Sequence, residues 1–136
     1  MKLIFCTDER GGMMFNKRRV SRDKLLVEDV ANYVGDNILY AEPYSLELFA
    51  DASVNLICSD SPEKSADTGD YAFIESYSPK EAAREAEEIV IYNWNRRYPF
   101  DVSLEFRPED LGFRLKTRYK FKGSSHDLIT REVYTK

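Results

Sequence analysis

Histidine, cysteine and metal-binding motifs are scarce in this chain. Of its 136 residues, one is a histidine, His126, and two are cysteines, Cys6 and Cys58, which lie far apart in sequence. Zinc sites need several closely spaced histidine or cysteine ligands, and no Cys-x-x-Cys pair or Cys/His cluster is present. This excludes a histidine-rich zinc site, and we expect no bound metal. Because both cysteines end apolar runs, we predict two buried, reduced thiols.

Long hydrophobic segments are also absent. The first apolar run covers only Leu3 to Cys6, which is too short for a signal peptide. No other stretch approaches the roughly 20 apolar residues that a membrane-spanning helix needs. We therefore predict a cytoplasmic protein that does not associate with a membrane.

Charge of one sign is not in large excess. With 20 basic and 24 acidic residues the formal net charge is −4, which argues against a general nucleic-acid coat but permits a local basic patch. Hydrophobic residues make up 43% of the chain, so disorder is not expected. No repeat or linker divides the sequence. We predict one compact domain over residues 1–136.

Strand and helix patterns alternate through the first two thirds of the sequence. Three signals mark helices: Ser21 as an N-cap before a helix that Gly35 ends, Pro43 at the start of a short helix, and a Ser78-Pro79-Lys80-Glu81 capping box before a helix over 79–87. Residues 8–20 and 60–70 are expected to be loops. Apolar runs predict strands at 2–7, 37–41, 54–58, 71–74 and 89–92.

The last third of the chain has a different pattern. From Phe113 to Phe121 the residues alternate between a mainly apolar face and a cationic face, which predicts a half-exposed strand. A polar turn with Gly123 follows, and residues 127–135 return as a second strand. Together the patterns predict a three-layer α/β fold, with a mostly parallel sheet and a C-terminal antiparallel hairpin.

This order of elements resembles the dihydrofolate reductase fold in shortened form, over nearly the whole chain. Residues 2–8 with the glycine-containing loop after them are similar to that family's first strand and mobile loop, and Phe15-Asn16 resembles its Trp-Asn pair. The resemblance implies that Asp23 corresponds to the family's catalytic acid. In that role Asp23 would need a partly apolar pocket that raises its pKa. Alternatively, it only complements the dipole of the first helix.

Two segments depart from that family's cofactor motifs. Ala41 to Ser45 stands where the family has a Gly-Arg-Thr turn that holds the cofactor phosphate, and Glu42 places a carboxylate there. Asn93 to Pro99 stands in place of a Gly-Gly pair that lets the pyrophosphate contact the backbone. We therefore do not expect NADPH to bind in the family's manner. A reductase with an altered cofactor mode stays an alternative.

A second resemblance rests on the N-terminus and on the run Asn93-Trp94-Asn95-Arg96. Both are similar to a group of short bacterial proteins, some of which carry the label ribonuclease Z. That enzyme resembles other dinuclear zinc hydrolases, which need several histidines for two metals. One histidine cannot supply them, so this activity is excluded.

Two loops carry the candidate binding residues. In an open α/β sheet, ligands bind beyond the carboxyl ends of the parallel strands, where the 8–20 and 93–99 loops should meet. Arginine binds phosphate or carboxylate through two parallel hydrogen bonds, and a tryptophan face stacks on a planar ring. Alternatively, the arginines pair with carboxylates such as Glu9 and only fix the loops. The predicted site for a small anionic, nucleotide-like ligand consists of Asn16, Arg18, Arg19, Asn93, Trp94, Asn95, Arg96 and Arg97.

The C-terminal hairpin suggests a further alternative, an interaction module. Its cationic face could follow a phosphate backbone, but its aromatic residues should point to the core, so nucleic-acid binding is not expected. An exposed hairpin edge makes a homodimer possible. The run Ser124-Ser125-His126-Asp127 has the residue types of a hydrolytic triad, yet neighbours in a turn diverge. We therefore predict a plain turn with His126 exposed or capping. The cationic face comprises Arg114, Lys116, Arg118 and Lys120.

Overall fold

The computed structural model describes all residues, 1–136, and contains ten strands, three α-helices and two 3₁₀ turns. The strands are β1 (Lys2–Thr7), β2 (Gly12–Phe15), β3 (Arg18–Arg19), β4 (Ile38–Ala41), β5 (Asn55–Cys58), β6 (Tyr71–Phe73), β7 (Glu88–Asn93), β8 (Val102–Ser103), β9 (Arg114–Phe121) and β10 (Ile129–Thr135). The helices are α1 (Lys24–Val34), α2 (Pro62–Ser65) and α3 (Lys80–Glu85), and the 3₁₀ turns span Pro43–Phe49 and Pro108–Leu111.

Seven of these strands form one sheet in the order β5-β4-β6-β1-β7-β10-β9. The first five are parallel to one another, β10 is antiparallel to β7, and β9 is antiparallel to β10. This confirms the predicted α/β class, with its mostly parallel sheet and its C-terminal antiparallel hairpin. It also makes β1 and β7 direct neighbours, so the loops that follow them begin at the same edge.

The sheet separates two apolar cores, because successive side chains of a strand point to opposite faces. On β1, Ile4 packs with Leu26 and Val30 of helix α1, whereas Phe5 joins the core on the other face. There Phe5 meets the ring of Phe106 edge-on at 5.9 Å between centroids. The two cores complete the three layers expected from the sequence.

The segment 8–20 is not the loop that the sequence indicates. Within it, β2 and β3 form a short hairpin, and β2 also pairs with β8, so that a second, three-stranded sheet lies beside the main one. Asn16 and Lys17 form the turn of this hairpin with φ values of 50° and 65°. The pairing of β2 with β8 is what orders the segment, and it joins residues about ninety positions apart.

The helix boundaries depart from the predictions at three places. Helix α1 is capped by Asp23 and not by Ser21, although Gly35 ends it as predicted. Helix α3 is shorter than expected and lacks its capping box, because the Ser78 hydroxyl accepts the N–H of Glu105 instead. The expected loop at 60–70 contains helix α2. None of the helices is long and apolar enough to cross a membrane.

The outer strand of the hairpin is more exposed than its alternating pattern suggests. On its apolar face Leu115 is 41% and Tyr119 is 49% exposed, because β9 is an edge strand and no helix covers it there. The expectation that its aromatic residues point to the core is therefore wrong for Tyr119. The cysteine prediction is also corrected, since Cys58 is exposed on β5 and Cys6 is only partly buried.

One polar link ties helix α1 to the antiparallel end of the sheet. The Asp29 carboxylate accepts a hydrogen bond from the Tyr92 hydroxyl at 2.6 Å and pairs with the Arg131 guanidinium at 2.7 Å. Burial, followed by the charge of Asp29, raises the pKa of the Tyr92 hydroxyl well above its usual value. The tyrosine is therefore a neutral donor, and its buried hydroxyl depends on Asp29.

We expect Asp29→Ala to lower the free energy of unfolding by about 2–3 kcal/mol, because it leaves a buried hydroxyl and a largely buried guanidinium without their acceptor. Urea unfolding at neutral pH measures this loss. Glu28→Ala is the matched control on the same helix, because Glu28 is exposed and makes no ion pair. Equal stabilities of the two variants would contradict this role of Asp29.

Candidate functional site

The Asp23 carboxylate joins the start of helix α1 to the turn between β9 and β10. It is 2% exposed, and every donor around it comes from one of these two segments. From the helix, the N–H groups of Leu25 and Leu26 donate to Oδ1. From the turn, Oδ1 accepts the N–H of Ser124 at 3.0 Å and Oδ2 accepts the N–H of Ser125 at 2.9 Å. The His126 Nδ1 lies 2.9 Å from the same Oδ2.

Gly123 allows this close approach of turn and helix. A Cβ at position 123 would lie 2.3 Å from Oδ2 of Asp23 and 2.8 Å from the Ile129 side chain. Any larger residue would therefore push the carboxylate away from its donors. The glycine of the predicted polar turn is thus required by the packing of the site.

The same donors decide the charge of Asp23. Burial raises the pKa of this carboxyl, but the N–H groups of Ser125 and Ser124 and the hydrogen bond from His126 outweigh burial and hold the pKa well below its usual value. The carboxylate is therefore ionised at any pH near neutrality and accepts hydrogen bonds only. This geometry favours the capping role that the sequence left open over the role of a proton-donating acid.

His126 is buried at the centre of this site, which corrects the expectation of an exposed or capping residue. Its ring stacks on Trp94 with 4.7 Å between centroids. Since Nδ1 donates to Asp23, Nε2 is the nitrogen that faces the remaining partners. The Ser21 hydroxyl lies 2.8 Å and the Tyr98 hydroxyl 3.1 Å from this Nε2.

A small cavity lies beside the Asp23 carboxylate, between helix α1 and the sheet, and we name it the inner cavity. Its volume is about 20 Å³, which is room for about one water molecule. Arg19 enters this cavity and forms an ion pair with the buried Glu75, at 2.8 Å between Nε and Oε2. Burial raises the pKa of Glu75 more than the hydrogen bond and charge of Arg19 lower it. The cavity is lined by Cys6, Met13, Arg19, Val20, Ser21, Arg22, Asp23, Leu26, Val27, Leu48, Phe73, Glu75 and Trp94.

A second, open cleft separates the β2–β3 hairpin from the segment after Trp94, and we name it the rim cleft. Its volume is about 570 Å³. Arg18 is exposed there and makes neither an ion pair nor a side-chain hydrogen bond, whereas Arg19 reaches the same cleft from its pair with Glu75. The rim cleft is lined by Phe15, Asn16, Arg18, Arg19, Val20, Tyr98 and Pro99.

The eight sequence-predicted binding residues do not share one pocket. Asn16, Arg18 and Arg19 line the rim cleft, while Trp94 lines the inner cavity beside Arg19. Asn93 and Asn95 face a third cleft, where the Asn95 amide donates to Thr130 Oγ1 at 2.9 Å.

Arg96 and Arg97 are exposed outside these three clefts. The Arg97 guanidinium lies 3.4 Å from the Glu9 carboxylate, which is the loop-fixing ion pair that the sequence allowed. Of the four arginines that the sequence suggested as a group, only Arg18 and Arg19 therefore meet in one cleft.

Other charged groups form no comparable cluster. On the cationic face of β9, Arg118 pairs with Glu132 at 2.7 Å. Glu42 is buried, and its Oε2 accepts the N–H groups of Glu75 and Ser76. No group of three histidine, cysteine or carboxylate side chains lies close enough to hold a metal ion.

The sequence analysis missed three contacts of the site: those of Ser21 and Tyr98 with His126, and that of Glu75 with Arg19. Each joins segments that are at least 28 positions apart. A lone histidine within a turn rich in serine was the one available signal.

The strand order and the two layers around it define a fold of the dihydrofolate reductase class. Among the solved structures that match this chain is dihydrofolate reductase from Enterococcus faecalis, complexed with NADP(H) and RAB-propyl. The two are 11% identical with a TM-score of 0.68, and the match covers 98% of this chain and 94% of that chain. At this identity the likeness shows the fold. No family model matches the chain, and no curated protein matches its sequence.

We expect Asp23→Asn to lower the free energy of unfolding by about 2 kcal/mol at neutral pH, because an amide nitrogen would face donors that now meet a carboxylate. The depressed pKa of Asp23 means that its stabilising effect is present above the pKa of the unfolded chain, about 3.9, and is lost as the pH falls below it. Denaturant unfolding from about pH 7 to about pH 3 should show that the difference in stability between the unchanged protein and Asp23→Asn begins to narrow below about pH 4. A difference that stays constant over this range would contradict the ionised state of Asp23.

Proposed function

We propose that the rim cleft binds a small anionic ligand that carries an aromatic ring, such as a nucleotide. The single observation that carries the proposal is the Arg18 guanidinium, which stands unpaired in an open cleft of about 570 Å³ at the carboxyl edge of the sheet. A guanidinium with no carboxylate partner can form two parallel hydrogen bonds with a phosphate or carboxylate group.

The walls of the rim cleft suit a planar ring. Phe15 lies opposite Arg18 in the β2–β3 pairing and is 41% exposed, and Tyr98 lines the other side. Aromatic faces next to an arginine favour a ligand with both a ring and a negative charge. The structural neighbour from Enterococcus faecalis is complexed with NADP(H), which supports a nucleotide as the ligand class for this fold.

The position of Glu42 weighs against NADPH bound in the manner of the reductase family. Its buried carboxylate already occupies the N–H groups of Glu75 and Ser76, so a cofactor phosphate would meet a negative charge in place of these donors. The inner cavity has room for about one water, and Asp23 is held ionised beside it. These observations favour ligand binding over hydride transfer.

Isothermal titration with AMP, inorganic phosphate and adenosine tests the proposal. We expect AMP to bind more tightly than phosphate or adenosine, because each of these offers only one of the two recognised features. Arg18→Ala should weaken AMP binding about tenfold or more, which corresponds to the loss of one charge-assisted pair.

Arg114→Ala is the matched control, because Arg114 is also an exposed arginine without an ion pair but lies on β9, outside the rim cleft. Its affinity for AMP should equal that of the unchanged protein. An equal loss of affinity in Arg18→Ala and Arg114→Ala would mean that AMP binding depends only on the overall charge of the protein. No heat of binding for any of the three ligands would overturn the proposal.

A further inference from the structure

A continuous relay of hydrogen bonds runs from Ser21 through His126 to Asp23. None of these three residues lines the rim cleft. The Ser21 Oγ lies 2.8 Å from Nε2 of His126, and Nδ1 of His126 lies 2.9 Å from Oδ2 of Asp23. His126 and Asp23 are buried, whereas Ser21 is partly exposed. The hydroxyl of a partly exposed serine therefore lies at the end of a buried imidazole and carboxylate pair.

The order of hydrogen bonds in this relay is set by Asp23. Because its carboxylate is ionised and accepts only, Nδ1 of His126 must carry the proton that lies between them. The lone pair of Nε2 then faces the Ser21 hydroxyl, which donates to it. This is the arrangement in which an imidazole can remove a proton from a serine hydroxyl as that hydroxyl attacks an electrophile.

Other contacts hold the imidazole in that orientation. Trp94 stacks on one face of the His126 ring, and the Tyr98 hydroxyl lies 3.1 Å from Nε2, farther away than Ser21. The backbone N–H groups of Ser21 and Arg22 donate to no group of the protein. Both N–H groups are therefore available as donors to a ligand beside Ser21.

We propose that Ser21 is the nucleophile of an acyl-transfer site, with His126 as general base and Asp23 as the positioning residue. Ser21 Oγ attacks the carbonyl carbon of an ester and passes its proton to Nε2 of His126. The bond between the carbonyl carbon and the ester oxygen then breaks, and the departing alcohol takes the proton from Nε2. Water then attacks the acyl carbon and passes a proton to Nε2. The bond between this carbon and Ser21 Oγ breaks, Oγ takes the proton from Nε2, and the carboxylic acid leaves.

The space next to Ser21 sets the size of the acyl group. The inner cavity is about 20 Å³ and has apolar walls that include Met13, Leu26 and Leu48. A volume of this size favours a methyl group over a longer chain. The acyl group that fits is therefore acetyl, carried by an ester whose alcohol part lies toward solvent.

Incubation with 4-nitrophenyl acetate, followed by peptide mass spectrometry, tests this site. We expect release of 4-nitrophenolate with an acetyl group on Ser21 in the quenched protein. Ser21→Ala should lose the acetylated peptide and lower kcat/KM about 100-fold or more, as should His126→Gln. The ester 4-nitrophenyl octanoate should react at least about tenfold more slowly than the acetate, because its chain does not fit.

Ser103→Ala is the matched control, since Ser103 is a partly buried serine on β8 far from His126, and it should react like the unchanged protein. Thermal unfolding of each variant shows whether it is folded. Acetylation of lysines alone, or equal rates for the unchanged protein and a folded Ser21→Ala variant, would overturn the proposal. AMP binding does not depend on Ser21, so the two sites can fail separately.

Discussion

One ionised carboxylate, Asp23, connects the start of helix α1, the turn between β9 and β10, and the ring of His126. It caps helix α1, receives the N–H groups of the β9–β10 turn and fixes the ring of His126. The sheet brings these segments close, but the carboxylate determines how they meet. A buried charge is unfavourable unless several donors surround it, and here the helix start and the turn supply those donors together. Because the ring of His126 is fixed, its Nε2 lies within hydrogen-bond distance of the hydroxyls of Ser21 and Tyr98.

The two neighbouring arginines Arg18 and Arg19 differ in whether a carboxylate pairs with them. Arg19 reaches into the inner cavity between helix α1 and the sheet, where it forms an ion pair with Glu75. Arg18 is the next residue along the same short strand, yet no carboxylate meets it. The difference follows from which side of β3 faces the body of the protein. An anionic ligand can therefore pair with Arg18. It cannot pair with Arg19 unless the ion pair of Arg19 with Glu75 first breaks.

The main sheet could be predicted from the sequence because its strands are buried apolar runs, such as 2–7 and 89–92, whose pattern needs no knowledge of distant partners. The small sheet could not, since β2 is four residues long and pairs with β8 far along the chain. The N-cap of α1 was assigned to Ser21 because serine and aspartate cap equally well. Asp23 is the N-cap because it also contacts Ser124 and Ser125, which lie more than 100 positions away. His126 lies in a polar turn, and its contacts with the distant residues Trp94, Tyr98 and Asp23 bury it.

The protonation of His126 tests the central claim most directly. Because His126 is the only histidine, a long-range ¹H–¹⁵N NMR spectrum of the imidazole is free of overlap. For the neutral imidazole, the account predicts a single tautomer, with the proton on Nδ1 and an unprotonated Nε2. A neutral ring that carries its proton on Nε2 and none on Nδ1, or an average of both tautomers, would contradict the role assigned to the Asp23 carboxylate.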